Sequence, residues 1–390
     1  MQSQNRTYIL LGLIFAGFFV LGLPDGALGV AWPEIRYEMG LPLEEARVIF
    51  ITHSIFYALA SSQLGRITRY IKEEIAGIIG LVGIALGMSG YVVAPNFLIF
   101  TCFVAFVGIS MGFLDSSMNS YVAKHFSNKI MNLLHCFWGL GAMVSPFIMT
   151  RMVVSRDFTW RTGYFTISAL AGAIAIVIFI SLLNGLWART KSEETAKNSS
   201  DATIKGKTLT GRANEFMEVA IFFFHGGAEY AMGFWVVSLM LESRGVYAAA
   251  AGLFPTVYFG SIMLSRLAIG TFGGRLGNMT LIRISMVVAL VGMLSLMFTS
   301  SVIGMALVGL GLGPIVPCSV ADTPRRFAAG LVTKLVGYKF AALGIGIAVL
   351  STGVGEVMGN VSLELLFPAT IGFVVCMAVL NELLERKINL

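Results

Sequence analysis

Residues 97–122 read FLIFTCFVAFVGISMGFLDSSMNSYV, an apolar run long enough to cross the hydrocarbon core of a bilayer, and runs of similar length recur along the chain. Inside lipid a backbone has no water to bond to, so only helices and closed barrels can span it, and continuous runs of about 20 apolar residues are helical. Hydropathy places spans at 7–33, 44–64, 75–95, 97–122, 131–153, 162–187, 214–241, 248–272, 279–299, 302–321, 331–355 and 363–384. Charged residues make up 12% of the chain, against roughly 25% in soluble domains. The expected fold class is an all-α integral membrane protein with twelve transmembrane helices.

Residues 188–213, ARTKSEETAKNSSDATIKGKTLTGRA, are polar and charged and cut the chain near its middle. They read as a cytoplasmic linker between an N-terminal six-helix domain, 1–187, and a C-terminal one, 214–390. The first span is too long, and at Pro24 and Asp25 too polar, for a signal h-region, so it reads as retained. A sequence pI near 9.2 invites a nucleic-acid partner. With the N-terminus inside, however, most Lys and Arg fall on the cytoplasmic side, so the basic balance records topology and no nucleic acid is expected. The reading is a multi-pass protein of the cell (inner) membrane, both termini cytoplasmic, a monomer whose partners are lipid and a small-molecule substrate. Cys102, Cys136, Cys318 and Cys376 lie in spans at unrelated spacings and suggest neither a metal site nor disulfides. Gly206-Lys-Thr lacks the first glycine and the preceding strand of a phosphate loop. No cofactor is expected.

Ionisable groups inside spans are costly, about 2.5–3.5 kcal/mol for a central charge on insertion scales, and mark solute or proton paths. Gly108, Gly112, Asp115 and Asn119 share one face of span four, with room for a neighbouring backbone beside the glycines. Asp115 is the principal coupling candidate; the other reading is an acid kept for structure. Asp25 in span one either couples or stabilises the kink at Pro24. His53 reads as a packing histidine, and His135 in span five as either interfacial or proton-handling. In span seven His225 stands one turn before Glu229 on the same face. Trp138 and Trp235 either line a cavity or anchor packing. Arg266 and Lys339 are cations within spans.

The two halves echo each other. Asp25-Gly-Ala-Leu-Gly29 matches Glu229-Tyr-Ala-Met-Gly233; Val107-Gly108 with Gly112 matches Val308-Gly309 with Gly313; Phe137–Gly141 matches Phe340–Gly344. Three echoes in the same order imply two six-helix pseudo-repeats in parallel orientation. On that register Asp115 falls on Val316 and Lys339 on Cys136, so neither has a mate. Lys339, buried without a counter-charge, would either snorkel to the inner interface or pair with Asp115 as a cross-domain latch.

With these residues in view, the chain resembles the major facilitator superfamily, and within it the fucose:proton symporter group of sugar transporters. The superfamily likeness runs through the six-plus-six layout and through GTFGGRLGN after span eight, where Gly270, Arg275 and Gly277 fit the family's cytoplasmic loop motif and Gly274 replaces its aspartate. The subgroup likeness rests on GFLDSSMNSYV, with Asp115 on the family's intramembrane acid and Asn119 on its asparagine, and on GLGPIVPCS in span ten. The family's span-one acid lies where Gly29 stands here. What the resemblance implies is the major facilitator fold and a secondary active transporter working by alternating access. The expected activity is symport of a small polar solute, sugar or sugar-like, coupled to protons, with sodium as the alternative ion. Asp115, Asp25 and Glu229 would couple; Asn119, His135, Trp138, His225, Trp235 and Lys339 would line the cavity; Lys339, Asp115, Gly270, Arg275 and Gly277 would gate. A proton-driven exporter of amphipathic compounds is the rival, favoured by 29 Phe and 20 Met. A membrane enzyme or a non-transporting sensor is the distant one, and no nucleophile or metal motif supports it.

Overall fold

The computed structural model describes residues 2–126, 128–155, 157–187, 209–272 and 276–389. Most of the expected linker, 188–208, and Arg275 of the loop motif lie outside the described residues. The chain divides into two compact units, Met1–Leu41 with Ile51–Asp201, and Pro42–Phe50 with Ala202–Leu390.

Six long helices belong to the first half: α1 (Gln2–Glu38), α2 (Ala46–Ile67), α3 (Glu73–Val93), α4 (Phe97–His125), α5 (Asn128–Val154) and α6 (Trp160–Leu183). The second half holds α7 (Arg212–Ser238), α8 (Ala248–Ala251), α9 (Leu253–Phe272), α10 (Asn278–Phe298), α11 (Val302–Leu312), α12 (Ile315–Arg326), α13 (Ala329–Gly346), α14 (Thr352–Asn360) and α15 (Leu366–Asn389). The greater number reflects breaks within spans. Span ten is interrupted at Gly313-Pro314 between α11 and α12, and a π turn at Ile347–Ser351 joins α13 to α14. A second π turn, Leu239–Ser243, prolongs α7. Pro24 and Pro33, by contrast, sit inside a continuous α1.

Among the described residues, 10 helical stretches are long and apolar enough to cross a membrane. Sequence reading gave twelve; α2 and α7 are the two that fall short. In α7, Glu218, His225 and Glu229 lower the mean hydropathy.

The repeat is visible in how the helices touch. A Cβ on Gly108 would lie 2.8 Å from the His53 carbonyl oxygen and 3.4 Å from the Tyr57 nitrogen; one on Gly309 would lie 2.5 Å and 3.3 Å from the same atoms of Tyr258 and Ile262. Gly22 of α1 abuts the Trp138 carbonyl of α5, and Gly226 of α7 abuts the Leu343 carbonyl of α13. Each half thus brings backbones together at matched glycines, which a side chain would hold apart. The same contacts correct one register. Gly141 packs on the Phe19 carbonyl, and its counterpart on the Phe223 carbonyl is Gly346, whereas nothing lies within 4 Å of a Cβ on Gly344. The mate of Lys339 is therefore Leu134, not Cys136.

One end of each half is tied by an arginine. Arg161, at the start of α6, donates to the carbonyls of Tyr91, Val92 and Ala94 at 3.4, 2.8 and 3.0 Å, pairs with Glu38 at 2.6 Å and stacks 4.3 Å over Trp160. Arg244, beyond α7, donates to the carbonyls of Leu296, Met297 and Thr299 at 2.6, 3.2 and 2.7 Å, pairs with Glu364 at 2.6 Å and lies 5.1 Å over Phe367. The capped carbonyls, ending α3 and α10, keep the same spacing. The charges are exchanged: the arginine comes from the sixth helix in one half and follows the first helix in the other.

Candidate functional site

In the first unit the glycine contacts lay α2 against α4, which brings Tyr57 to Asp115. The Tyr57 hydroxyl donates to Asp115 Oδ2, and Asn119 Nδ2 donates to Asp115 Oδ1 at 2.7 Å and to the Asp115 carbonyl at 3.0 Å. Both carboxylate oxygens are therefore served by neutral donors. His53 stands one turn before Tyr57, its ring 6.0 Å from the tyrosine ring and its Nε2 3.2 Å from Met111 sulfur. Trp138 Nε1 donates to Asp25 Oδ2 at 2.9 Å, joining α5 to α1. His135 meets Phe18 edge-on at 5.6 Å.

The second unit treats its acids differently. Glu229 Oε2 lies 2.7 Å from His225 Nε2, one turn earlier on α7, and Glu229 Oε1 lies 3.5 Å from an Arg266 nitrogen on α9. Arg266 Nε donates to the Gly313 carbonyl at 3.2 Å, at the break between α11 and α12, and Tyr258 donates to the Glu229 carbonyl at 2.9 Å. Trp235 is fully buried, its Nε1 donating to the Ser351 carbonyl at 3.0 Å in the π turn between α13 and α14.

Lys339 is completely buried and well supplied with acceptors. Its Nζ donates to Glu218 Oε1 at 2.5 Å, to the Ser319 carbonyl and hydroxyl at 3.0 and 3.1 Å, and to the Thr323 hydroxyl at 2.9 Å. The expected burial without a counter-charge is thus corrected, and with it the latch to Asp115: the ammonium is committed to Glu218 inside its own unit. Glu218 Oε2 also accepts from Arg326 at 2.9 Å, and Arg326 donates to Asp322 at 2.8 Å and to Asn381 at 2.7 Å. Gly277, of the expected gating residues, caps α10 with φ 72°, a conformation that favours glycine. Gly270 lies within α9.

The family model of the Major Facilitator Superfamily matches residues 14–381. The chain belongs to that superfamily. Among solved structures it is similar to the transporter FucP in the outward conformation, with TM-score 0.63 and 17% identity over 97% of this chain and 98% of that one. It is similar also to a bacterial homologue of the human lysosomal transporter Spinster, inward-facing and occupied, with TM-score 0.71 and 12% identity over 98% and 97%. At such identities the likeness shows the fold. Among sequence relatives, Bypass of stop codon protein 6 of Saccharomyces cerevisiae is 20% identical over 275 residues, 65% of this chain and 54% of the yeast protein. Sodium-dependent glucose transporter 1 of Danio rerio is 25% identical over 136 residues, 34% of this chain and 23% of its own. The matched stretch spans about half the length of the first relative and about a quarter of the second.

Sequence reasoning about this transporter missed Tyr57, Glu218, Asp322 and Arg326. Glu218 stands near the start of α7 and reads as an interfacial acid, and Asp322 falls just past the expected end of span ten at 321. A usable signal was present: Asp322 and Arg326 are four apart on one helix, and Glu218 shares the α7 face of His225 and Glu229. Chemically, then, the first unit places neutral donors on Asp115 and Asp25, and the second places Arg266 beside Glu229.

Proposed function

We propose that this protein is a proton-coupled symporter of a small polar solute of sugar-like size, with Asp115 as the principal coupling acid and Asp25 and Glu229 as further ionisable groups of the path. The observation that carries the reading is the pairing of Asp115 with Tyr57 and Asn119. Neutral donors stabilise a carboxylate but leave no orphaned charge when it takes a proton, so the residue can pass between its two states without the cost of an unpaired buried cation. An acid locked to an arginine could not do so as cheaply. Relatives add support of a coarser kind: one neighbour is the fucose:proton symporter FucP and one relative is named as a sodium-dependent glucose transporter. No cofactor takes part in this reading, and sodium is its alternative coupling ion.

Proteoliposomes with an imposed pH gradient test it. Wild-type protein should accumulate solute with the gradient, and a sodium gradient alone should not replace it. Asp115→Asn keeps size and hydrogen bonding but cannot titrate; it should lose gradient-driven accumulation while still exchanging solute across equilibrated membranes. Unchanged accumulation would remove Asp115 from the mechanism.

A further inference from the structure

We infer that the interior of the second unit contains a site for an alkali-metal cation, and that the chain fills this site with the ammonium of its own Lys339. The inference is independent of the coupling proposed for Asp115.

The four oxygens around Lys339 Nζ are Glu218 Oε1, the Ser319 carbonyl, the Ser319 hydroxyl and the Thr323 hydroxyl, all between 2.5 and 3.1 Å away. An ammonium has only three protons to donate, so the cage offers more acceptors than a lysine can fully use. A spherical ion has no such limit, and carboxylate, carbonyl and hydroxyl oxygens are the ligands that hard cations take. The Thr323 hydroxyl donates its own proton to the Ser319 carbonyl at 3.0 Å, which leaves its lone pairs for a cation. On another side the ring of Phe222 lies 4.7 Å from Nζ and attracts positive charge through its face. Glu218, Ser319 and Thr323 are all buried, so no bulk water competes for the place.

Charge gives a second observation and fixes the valence. Lys339 pairs with Glu218, Glu218 with Arg326, Arg326 with Asp322, Asp322 with Arg325 and Arg325 with Glu385. This chain of contacts joins three cations to three acids and is neutral only with the ammonium in place. Without it, one negative charge is left over beside three neutral oxygens. A single positive charge restores the balance, which suits a monovalent ion and not a divalent one.

The first half shows that the scaffold asks for none of this. By the glycine contacts Glu218, Ser319, Thr323 and Lys339 correspond to Ile14, Met118, Val122 and Leu134, all apolar and buried, while Phe222 corresponds to another phenylalanine, Phe18. The aromatic wall is common to both halves. The oxygens and the ammonium belong to the second alone and occur there as a set. A cation tied to the backbone cannot leave, so it cannot be carried across the membrane with solute. The site therefore gives the second unit the cohesion of a bound ion while making it indifferent to the ions in solution.

Full-length protein in detergent is melted in sodium, potassium and choline chloride at one ionic strength, choline being too large for the cage. Wild-type protein should melt at the same temperature in all three. Lys339→Ala empties the cage and should melt lower than wild type in choline; sodium or potassium should then raise its melting temperature by about 2–4 °C, with a dependence on concentration that saturates. Adding Glu218→Gln to Lys339→Ala removes the leftover negative charge, so that pair should again melt alike in the three salts. Lys339→Ser, which returns one oxygen to the space left by the lysine stem, should respond to the ions as Lys339→Ala does. The inference is overturned if Lys339→Ala melts alike in all three salts, or if wild-type protein or the Gln and Ala pair gains as much from the ion as Lys339→Ala. It is overturned also if neither Lys339→Ala nor Lys339→Ser, prepared throughout in sodium or potassium chloride, yields folded protein, because a free ion would then be unable to stand where the ammonium stands. None of these readouts depends on transport, so loss of gradient-driven accumulation, or its persistence, bears on Asp115 alone.

Discussion

Glu218 accepts from Lys339 through one oxygen and from Arg326 through the other, and all three side chains are wholly buried. Removing the acid alone leaves the buried Lys339 ammonium without its carboxylate and takes one acceptor from Arg326, a change that typically costs about 3–5 kcal/mol. Glu218→Gln should therefore reduce the yield of folded protein and lower its melting temperature. The matched positions of the first half show what the packing itself requires: Glu218 corresponds to Ile14, Lys339 to Leu134, Asp322 to Tyr121 and Arg326 to His125, and Ile14, Tyr121 and Leu134 are buried there. Those counterparts fill the same places with uncharged packing at Ile14, Tyr121 and Leu134. Replacing the pair by its counterparts, Glu218→Ile with Lys339→Leu, should recover most of the stability lost by Glu218→Gln, since Arg326 keeps Asp322 and Asn381. Thermal melting of the three proteins side by side checks this. A double variant no more stable than Glu218→Gln would mean that the network carries the fold of the second half.

Between elements, the arginine ties show a construction the sequence did not disclose. An arginine capping the last carbonyls of α3 or α10 satisfies groups that a helix end leaves open, and its acid partner holds a third helix to the same point. Because the second half runs the same tie with donor and acceptor exchanged, the two arrangements should be interchangeable in the first. Glu38→Arg or Arg161→Glu alone should lower the melting temperature by about 2–4 °C. The pair together should regain most of it, as the tie at Arg244 and Glu364 already demonstrates in reverse. Sequence could place these helices, because runs of apolar residues and polar breaks fix spans almost by length alone. It could also find matched glycines. It could not tell which of Gly344 and Gly346 makes the close approach, since both lie at helical spacing and only the neighbouring carbonyl decides; that slip put Cys136 opposite Lys339. Tyr57 was illegible for a similar reason. A tyrosine in an apolar run looks like packing until a second helix brings an acid to its hydroxyl.

At the scale of the whole molecule, one scaffold used twice carries two chemistries. We propose that charge placement sets the orientation in the membrane, with the polar segment 188–208, rich in lysines and acids, on the cytoplasmic side. Asn198→Cys should accordingly react with a membrane-impermeant maleimide in inside-out vesicles and not in intact cells, and the opposite pattern would invert the topology. The division of labour between halves allows a sharper test. Asp115 corresponds to Val316, Tyr57 to Ile262 and Asn119 to Val320, so the place in the second half that mirrors the proposed coupling acid has neither the acid nor its two donors. If a buried carboxylate alone sufficed for coupling, moving it across would preserve function. If the neutral donors are what let it be charged at acceptable cost, Asp115→Val with Val316→Asp should lose gradient-driven accumulation and should fold worse than Asp115→Val alone, because an unsupported carboxylate in a span costs about 2.5–3.5 kcal/mol. Supplying the donors as well, with Ile262→Tyr and Val320→Asn, should restore the folded yield, since both stand in the register that Tyr57 and Asn119 occupy in the first half. Accumulation that survives the bare transfer would show that the hydrogen-bonded setting of Asp115 is incidental; folding rescued only by the added donors would show that the setting, rather than the acid, is what the first half contributes to the transporter.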